Sequence, residues 1–89
     1  METSNRTKAG TPYIAIYPGA TMKEELKARG IKQKDFAEQI GMQATHLSEL
    51  INGKITLTKE IAYKLEKALG ISAVFWLGLQ NQYDYDKNI

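Results

Sequence analysis

Residues 33–53 read QKDFAEQIGMQATHLSELING and comprise two short amphipathic segments on either side of Gly41. Ala37 is small where two crossing helices must approach closely, and a glycine at position 41 can adopt the positive φ that a sharp turn requires. The pattern therefore predicts two helices joined by a tight turn. Each helix has an apolar face at helical spacing, formed by Phe36, Ala37 and Ile40 in the first and by Leu47, Leu50 and Ile51 in the second.

Such a pair is a helix-turn-helix unit, which lays its second helix in the major groove of DNA. Polar side chains on that helix then face the base edges. Glutamine can address adenine, alanine and threonine methyls can contact the thymine methyl, and glutamate can accept from the cytosine amino group. The alternative for each position is a solvated surface residue, and a glutamate repels DNA unless it meets a cytosine. The predicted base contacts are Gln43, Ala44, Thr45, Ser48 and Glu49.

Phosphate contacts are expected from residues that flank this helix. Gln33 and the free N–H groups at the start of the first helix of the pair suit a phosphate oxygen. The other candidates lie beside the groove, and solvation is again the alternative. His46 is the only histidine in a chain without cysteine, so we expect no metal site there. The predicted phosphate contacts are Gln33, Lys34, His46, Asn52 and Lys54.

Composition excludes several classes of protein. The 89 residues predict one small domain, and without cysteine the chain has no disulfide framework and no cysteine-based zinc or redox site. It contains no apolar run of the roughly 18 residues needed to span a membrane. The polar N-terminus lacks the apolar core of a signal peptide, so a cytoplasmic location is expected. No catalytic constellation or Gly-rich phosphate loop is present, and we expect no enzyme, cofactor or metal.

The charge is unevenly distributed, although the net charge is only +2. Up to residue 34 the chain has seven Lys or Arg and three Glu, and beyond it five Lys and seven acidic residues. A basic front half suits an anionic partner. The alternative is that the lysines only solvate helix surfaces.

The remaining segments predict an all-α fold of five helices. We expect a first helix near 21–29, the pair near 33–40 and 43–51, a fourth helix near 59–69 with Thr58 as its N-cap, and a fifth helix capped by Ser72. Residues 1–17 form an N-terminal arm that ends in the apolar segment Tyr13–Tyr17. Residues 18–83 form the domain, and residues 84–89 a polar, frayed tail.

The helix-turn-helix pair alone is common to many DNA-binding proteins, whereas the motifs along most of the chain point to one family. Together they resemble the HigA-type antitoxins of the phage-repressor-like (Xre) family over about residues 17–85. Two positions depart from that family: Tyr17 replaces a usual His, and Lys32 stands where Ser or Thr often caps the second helix. The matching motifs are Tyr17-Pro18-Gly19, Leu26, Gln33-Lys34-Asp35-Phe36-Ala37, Ile51-Asn52-Gly53-Lys54, Ile61-Ala62-Tyr63-Lys64-Leu65, and Phe75-Trp76-Leu77-Gly78-Leu79-Gln80 with Tyr83-Asp84.

The resemblance implies a homodimer that binds a palindromic operator at its own promoter and represses transcription. It also implies a toxin partner of the HigB type, a small RelE-like mRNA endonuclease that the antitoxin neutralises. Two alternatives stay open: a stand-alone repressor without a toxin, and a protein-interaction module that has lost DNA binding.

The two ends of the chain carry apolar residues beyond the needs of one core. On the fifth helix we expect Trp76 to point inward and Phe75, Leu77 and Tyr83 to contribute to a homodimer contact. The arm offers an extended segment that can add a strand to a partner's sheet. Its alternative is to pack on its own domain.

Overall fold

The computed structural model describes residues 17–87, which contain five α-helices and no strand. The predicted all-α fold is confirmed. Apart from Tyr17, the predicted arm lies outside the described residues. No helix among residues 17–87 has the length and apolar character needed to cross a membrane. The helices are α1 (Pro18–Arg29), α2 (Gln33–Gln39), α3 (Ala44–Ile51), α4 (Lys59–Leu69) and α5 (Ala73–Asp86).

One core joins all five helices. α2 packs against α3, α4 packs against α5, and α1 contacts both α3 and α5. Trp76 is fully buried, as predicted, and its Nε1 donates a 3.1 Å hydrogen bond to the Ile71 carbonyl. The buried apolar residues are Met22, Leu26, Phe36, Ala37, Ile40, Leu47, Leu50, Ile51, Leu57, Ile61, Ala62, Leu65, Leu69, Ala73 and Trp76.

The helix caps follow the sequence signals. The Thr58 hydroxyl accepts from the Ile61 N–H at 3.3 Å and begins α4, and the Ser72 hydroxyl accepts from the Phe75 N–H at 3.1 Å and begins α5. These bonds satisfy N–H groups that lack a partner within the first turn of a helix. By contrast, Lys32 gives α2 no side-chain cap, as its side chain predicts.

The turn between α2 and α3 depends on Gly41, whose φ is +70°. In this conformation the Gly41 N–H donates to the Glu38 carbonyl at 3.2 Å, and the Met42 N–H donates to the Ala37 carbonyl at 2.8 Å. These bonds satisfy carbonyls at the end of α2 and turn the chain into α3. The predicted tight turn is confirmed.

Two helix boundaries differ from the sequence prediction. α1 begins at Pro18 rather than near residue 21, because proline is well suited to the first helical position, where its missing N–H costs nothing. The predicted frayed tail from Asp84 is wrong at its start, since α5 continues to Asp86. A hydrogen bond of 2.8 Å from the Gln82 amide to the Asp86 carboxylate supports this last turn.

Gly19 allows α1 to approach the C-terminal end of α3. A Cβ built on Gly19 would lie 2.6 Å from the Ile51 carbonyl carbon and would clash with the Leu50 and Ile51 carbonyl oxygens. The obstacle is backbone, which cannot rotate away as a side chain would. Gly19 therefore fixes how closely α1 docks on α3.

We expect Gly19→Ala to lower the free energy of unfolding by about 1–3 kcal/mol, because the added methyl forces α1 away from α3. Urea denaturation measures this change. Gly78→Ala is the matched control, since a Cβ at this exposed position in α5 meets nothing within 4 Å. Alanine there should stabilise the helix by up to about 1 kcal/mol. Equal stability of the Gly19 variant and the wild type would contradict the close-approach argument.

Candidate nucleic-acid interface

The two faces of α3 differ sharply. Leu47, Leu50 and Ile51 are buried in the core, as their spacing predicts. The opposite face is exposed to solvent, and Gln43, which precedes the helix, extends it. This face consists of the exposed residues Gln43, Ala44, Thr45 and Glu49 and the half-buried Ser48.

The start of α3 leaves its polar side chains available to a ligand. Gln43 is the N-cap residue, but its side chain makes no capping hydrogen bond. Its backbone carbonyl instead accepts from the Leu47 N–H at 3.0 Å, the first bond of the helix. The Gln43 amide and the Thr45 hydroxyl and methyl are therefore presented on an ordered backbone. This arrangement suits reading of base edges in a major groove.

The end of α3 is organised by a local contact that sequence reasoning missed. The Asn52 amide nitrogen donates to the Ser48 carbonyl at 2.8 Å and lies 3.3 Å from the Ser48 hydroxyl. A predicted phosphate contact and a predicted base contact are thus joined to each other. The signal was the i, i+4 spacing of a serine and an asparagine at a helix end.

The predicted phosphate contacts lie at the ends of the helix pair. Gln33 and Lys34 are the first two residues of α2, and Lys54 follows α3; all three are exposed. The Lys54 N–H donates to the Glu49 carbonyl at 2.8 Å, which holds its backbone against the last turn of α3. Cationic side chains at both ends of the pair suit the two sides of a groove.

His46 lies beside the interface rather than on its central face. It is exposed and borders an open groove together with Gln43, Thr58 and Lys64. Among residues 17–87 no three His, Cys, Asp or Glu side chains are grouped to hold a metal ion. Contact with a phosphate stays the prediction for His46.

Glu49 is the one carboxylate on α3, and it is exposed on the face predicted to meet DNA. A negative charge there opposes the phosphates unless it accepts a hydrogen bond from a cytosine amino group. A base contact by Glu49 stays a prediction.

The C-terminal helix reaches the segment that follows α3 through a buried glutamine. The Gln80 Oε1 accepts from the Leu57 N–H at 2.9 Å, and its Nε2 donates to the Asp84 carboxylate at 2.9 Å. Sequence reasoning used Gln80 only as part of a motif. The physical signal was a polar residue in register with Ala73 and Trp76 on the buried face of α5.

The three residues predicted for a dimer contact have different surroundings. Phe75 is 46 % exposed and meets the Trp76 ring edge to face, with centroids 5.7 Å apart. Leu77 is half-buried and packs against the core. Tyr83 is half-buried against the ring of Tyr17. Of the three, Phe75 is the residue most open to a second molecule.

Comparison with known proteins identifies the family. The family model described as Helix-turn-helix matches residues 22–76, more than half of the chain. Antitoxin HigA-1 of Vibrio cholerae is 42 % identical over 74 % of this chain and 63 % of its own length. An HTH-type transcriptional regulator of Escherichia coli, YddM, is 35 % identical over 74 % of this chain and 70 % of its own length. The chain thus spans less than two thirds of the Vibrio relative.

Solved structures share the fold. An addiction module antidote protein of a HigA family from Coxiella burnetii is 28 % identical, with a TM-score of 0.77 over 82 % of this chain and 80 % of that one. The Pseudomonas aeruginosa antitoxin HigA, solved with the higBA promoter, is 22 % identical, with a TM-score of 0.80 over 84 % of this chain and 83 % of that one.

The exposed face of α3, the packed α2–α3 pair and these matches agree with one another. The chain belongs to the Xre-type helix-turn-helix family of DNA-binding regulators and resembles its HigA antitoxin members.

Proposed function

We propose that this protein is the antitoxin of a type II toxin–antitoxin pair and acts in the cytoplasm. As a homodimer it binds a palindromic operator at its own promoter and represses transcription. It also binds and neutralises a HigB-type, RelE-like mRNA endonuclease. The observation that carries the DNA-binding part is the exposed polar face of α3, backed by a buried apolar face. No enzymatic activity is proposed for the chain.

DNA binding is supported by chemistry as well as shape. The first turn of α3 offers an amide and a hydroxyl, and the ends of the α2–α3 pair carry Lys34 and Lys54. The Pseudomonas HigA that shares this fold was solved with promoter DNA, which supports DNA binding by this fold here. A gel shift with a duplex from upstream of the gene, repeated at rising salt, tests this part.

Toxin neutralisation is supported by the relatives that are themselves antitoxins. A stand-alone repressor is the second candidate, since another relative is an HTH-type transcriptional regulator. The gene neighbourhood separates the two, because a short reading frame for a basic protein beside this gene favours the antitoxin. A chain that binds a toxin but no DNA would instead be the interaction module, whose support is Glu49 and the uncapped α2.

Thr45→Ala should weaken operator binding by about 1–3 kcal/mol and leave binding to random DNA nearly unchanged, because a base contact carries the sequence information. Thr45→Ser keeps the hydroxyl and removes the methyl, so it measures the contact with a thymine methyl separately. Fluorescence anisotropy with both duplexes measures the two affinities. If operator and random DNA lose affinity equally, Thr45 is not a base contact.

Lys34→Ala and Lys54→Ala should each weaken binding to every DNA sequence and lower the slope of log affinity against log salt by about one unit. Each variant removes one cation that displaces a counterion from the duplex. Lys67→Ala is the control, since Lys67 lies on α4 beside Gln39 and Ile40 at the other end of α2. An unchanged slope in both test variants would show that DNA binds a different surface of the protein.

Dimerisation is supported by the exposed apolar residues at the start of α5. Val74 is 80 % exposed, and the neighbouring Phe75 is nearly half exposed. A single helix-turn-helix domain contacts few base pairs, so we expect two copies to bind together. Their recognition helices would then lie about 34 Å apart along the duplex. An apolar contact between the two α5 helices would supply that arrangement.

Phe75→Glu should convert the dimer to a monomer, because it places a charge in the proposed contact. Light scattering after size exclusion measures the mass, and circular dichroism checks that helicity is retained. Tyr63→Glu is the matched control, as Tyr63 is an exposed aromatic residue on α4. A Phe75 variant that is still dimeric at micromolar concentration would contradict the proposal.

A further inference from the structure

The segment between α3 and α4 carries two of the proposed phosphate contacts, Asn52 and Lys54, and it has no helix of its own. Its backbone must be held in place for those side chains to meet a duplex in register. The Gly53 and Lys54 N–H groups donate to the Leu50 and Glu49 carbonyls of α3, and two further contacts come from outside α3. Neither of these two further contacts involves the exposed face of α3.

The first contact is made by Tyr17 on Gly53. Gly53 has a φ of +75°, and a Cβ built on it would lie 3.1–3.2 Å from three carbon atoms of the Tyr17 ring. The ring therefore packs directly against the Gly53 backbone. Glycine favours this position because its φ is left-handed, and a Cβ there would press on the Tyr17 ring.

Tyr17 is itself firmly placed. Because Pro18 follows it, its backbone is extended, with φ −99° and ψ 158°. Its ring meets the Tyr83 ring edge to face, with centroids 5.8 Å apart. The Lys87 ammonium lies 5.1 Å from the centroid of the Tyr83 ring on the far end of this row. The side chains of Lys87, Tyr83 and Tyr17 thus form a row that runs from the C-terminal end of α5 to Gly53.

The second contact is the hydrogen bond of Gln80 to the Leu57 N–H. Gln80 is 6 % exposed, so its amide is shielded from water. Tyr17 and Gln80 hold the segment at Gly53 and at Leu57, and Lys54 lies between these two points. Tyr17, Gln80, Tyr83 and Lys54 also line one small cavity of about 80 Å³.

We propose that Tyr17 is a positioning residue for DNA binding: its ring orders the Gly53–Lys54 backbone so that Lys54 reaches a phosphate. Tyr17 touches no DNA in this proposal. The proposal rests on the phosphate contact of Lys54 advanced above. Of the two positions at which the sequence departs from the HigA-type pattern, it assigns a function to Tyr17.

The test compares the salt dependence of binding for the wild type, Tyr17→Ala, Tyr17→Phe, Lys54→Ala and the double variant Tyr17→Ala/Lys54→Ala. The probe is a duplex from upstream of the gene, with a random duplex in parallel. Tyr17→Ala should lower the salt slope by about one unit, as Lys54→Ala does, because one phosphate contact is lost. The double variant should lose no more than either single variant.

Tyr17→Phe should behave as the wild type, because the ring rather than the hydroxyl makes both described contacts. Tyr85→Ala, which removes an exposed tyrosine from α5, should also leave the slope unchanged. Thermal melts select a temperature at which each variant is folded. If Tyr17→Ala does not fold, Tyr17→Leu replaces it, since leucine keeps apolar volume without a flat ring.

The outcomes separate the two proposals. An unchanged slope in the Tyr17 variant beside a lowered slope in Lys54→Ala would overturn the positioning proposal and leave the phosphate contact intact. A loss of affinity at unchanged slope, or additive losses in the double variant, would mean that Tyr17 acts through stability alone and would overturn it too. An unchanged slope in Lys54→Ala with normal operator binding would show that Lys54 makes no phosphate contact. The positioning proposal would then fail as well.

Discussion

The close approach of α1 to the end of α3 is the constraint that sets where α3 lies in the domain. A residue larger than glycine at position 19 would meet the carbonyls of Leu50 and Ile51, so the two helices would separate. α1 also packs on α5, and α2 packs on α3. The close approach at Gly19 therefore contributes to the orientation of α3, and α1 connects the α2–α3 pair to α5. A small domain has few such contacts, and each one carries a large share of its rigidity.

The second constraint is polar and comes from the C-terminal helix. Gln80 is buried and uses both ends of its amide, one on Leu57 and one on Asp84. An unsatisfied amide in that position would be costly, so the bond specifies where α5 lies relative to the segment after α3. This explains why a glutamine lies one turn beyond Trp76 on the buried side of α5. The row of Lys87, Tyr83 and Tyr17 also holds α5 against the segment after α3.

Local signals predicted most of the fold. The caps at Thr58 and Ser72 and the turn at Gly41 depend on residues within five positions of one another, so a short stretch of sequence contains each signal. The contacts of Gln80 with Leu57 and of Tyr17 with Gly53 join residues more than 20 positions apart, and they depend on the packed arrangement of helices. For the same reason the sequence predicted which residues line the exposed face of α3 but did not predict what orders the segment behind it. The base and phosphate contacts stay predictions.

The residues proposed for base contact are largely separate from those that hold the fold. Gln43 makes no capping bond, and Ala44, Thr45 and Glu49 are exposed, so their side chains can change with little effect on the core. Gly19, Gln80 and Trp76 are buried and bear directly on packing or hydrogen bonding. Under the proposed function, a change in the first turn of α3 would alter operator choice while the fold is retained. Ser48 and Asn52 are the exception, because the hydrogen bonds between them link the exposed face of α3 to the C-terminal end of that helix. A change at either position removes this contact, and it therefore alters the proposed recognition surface together with the turn that leads to Lys54.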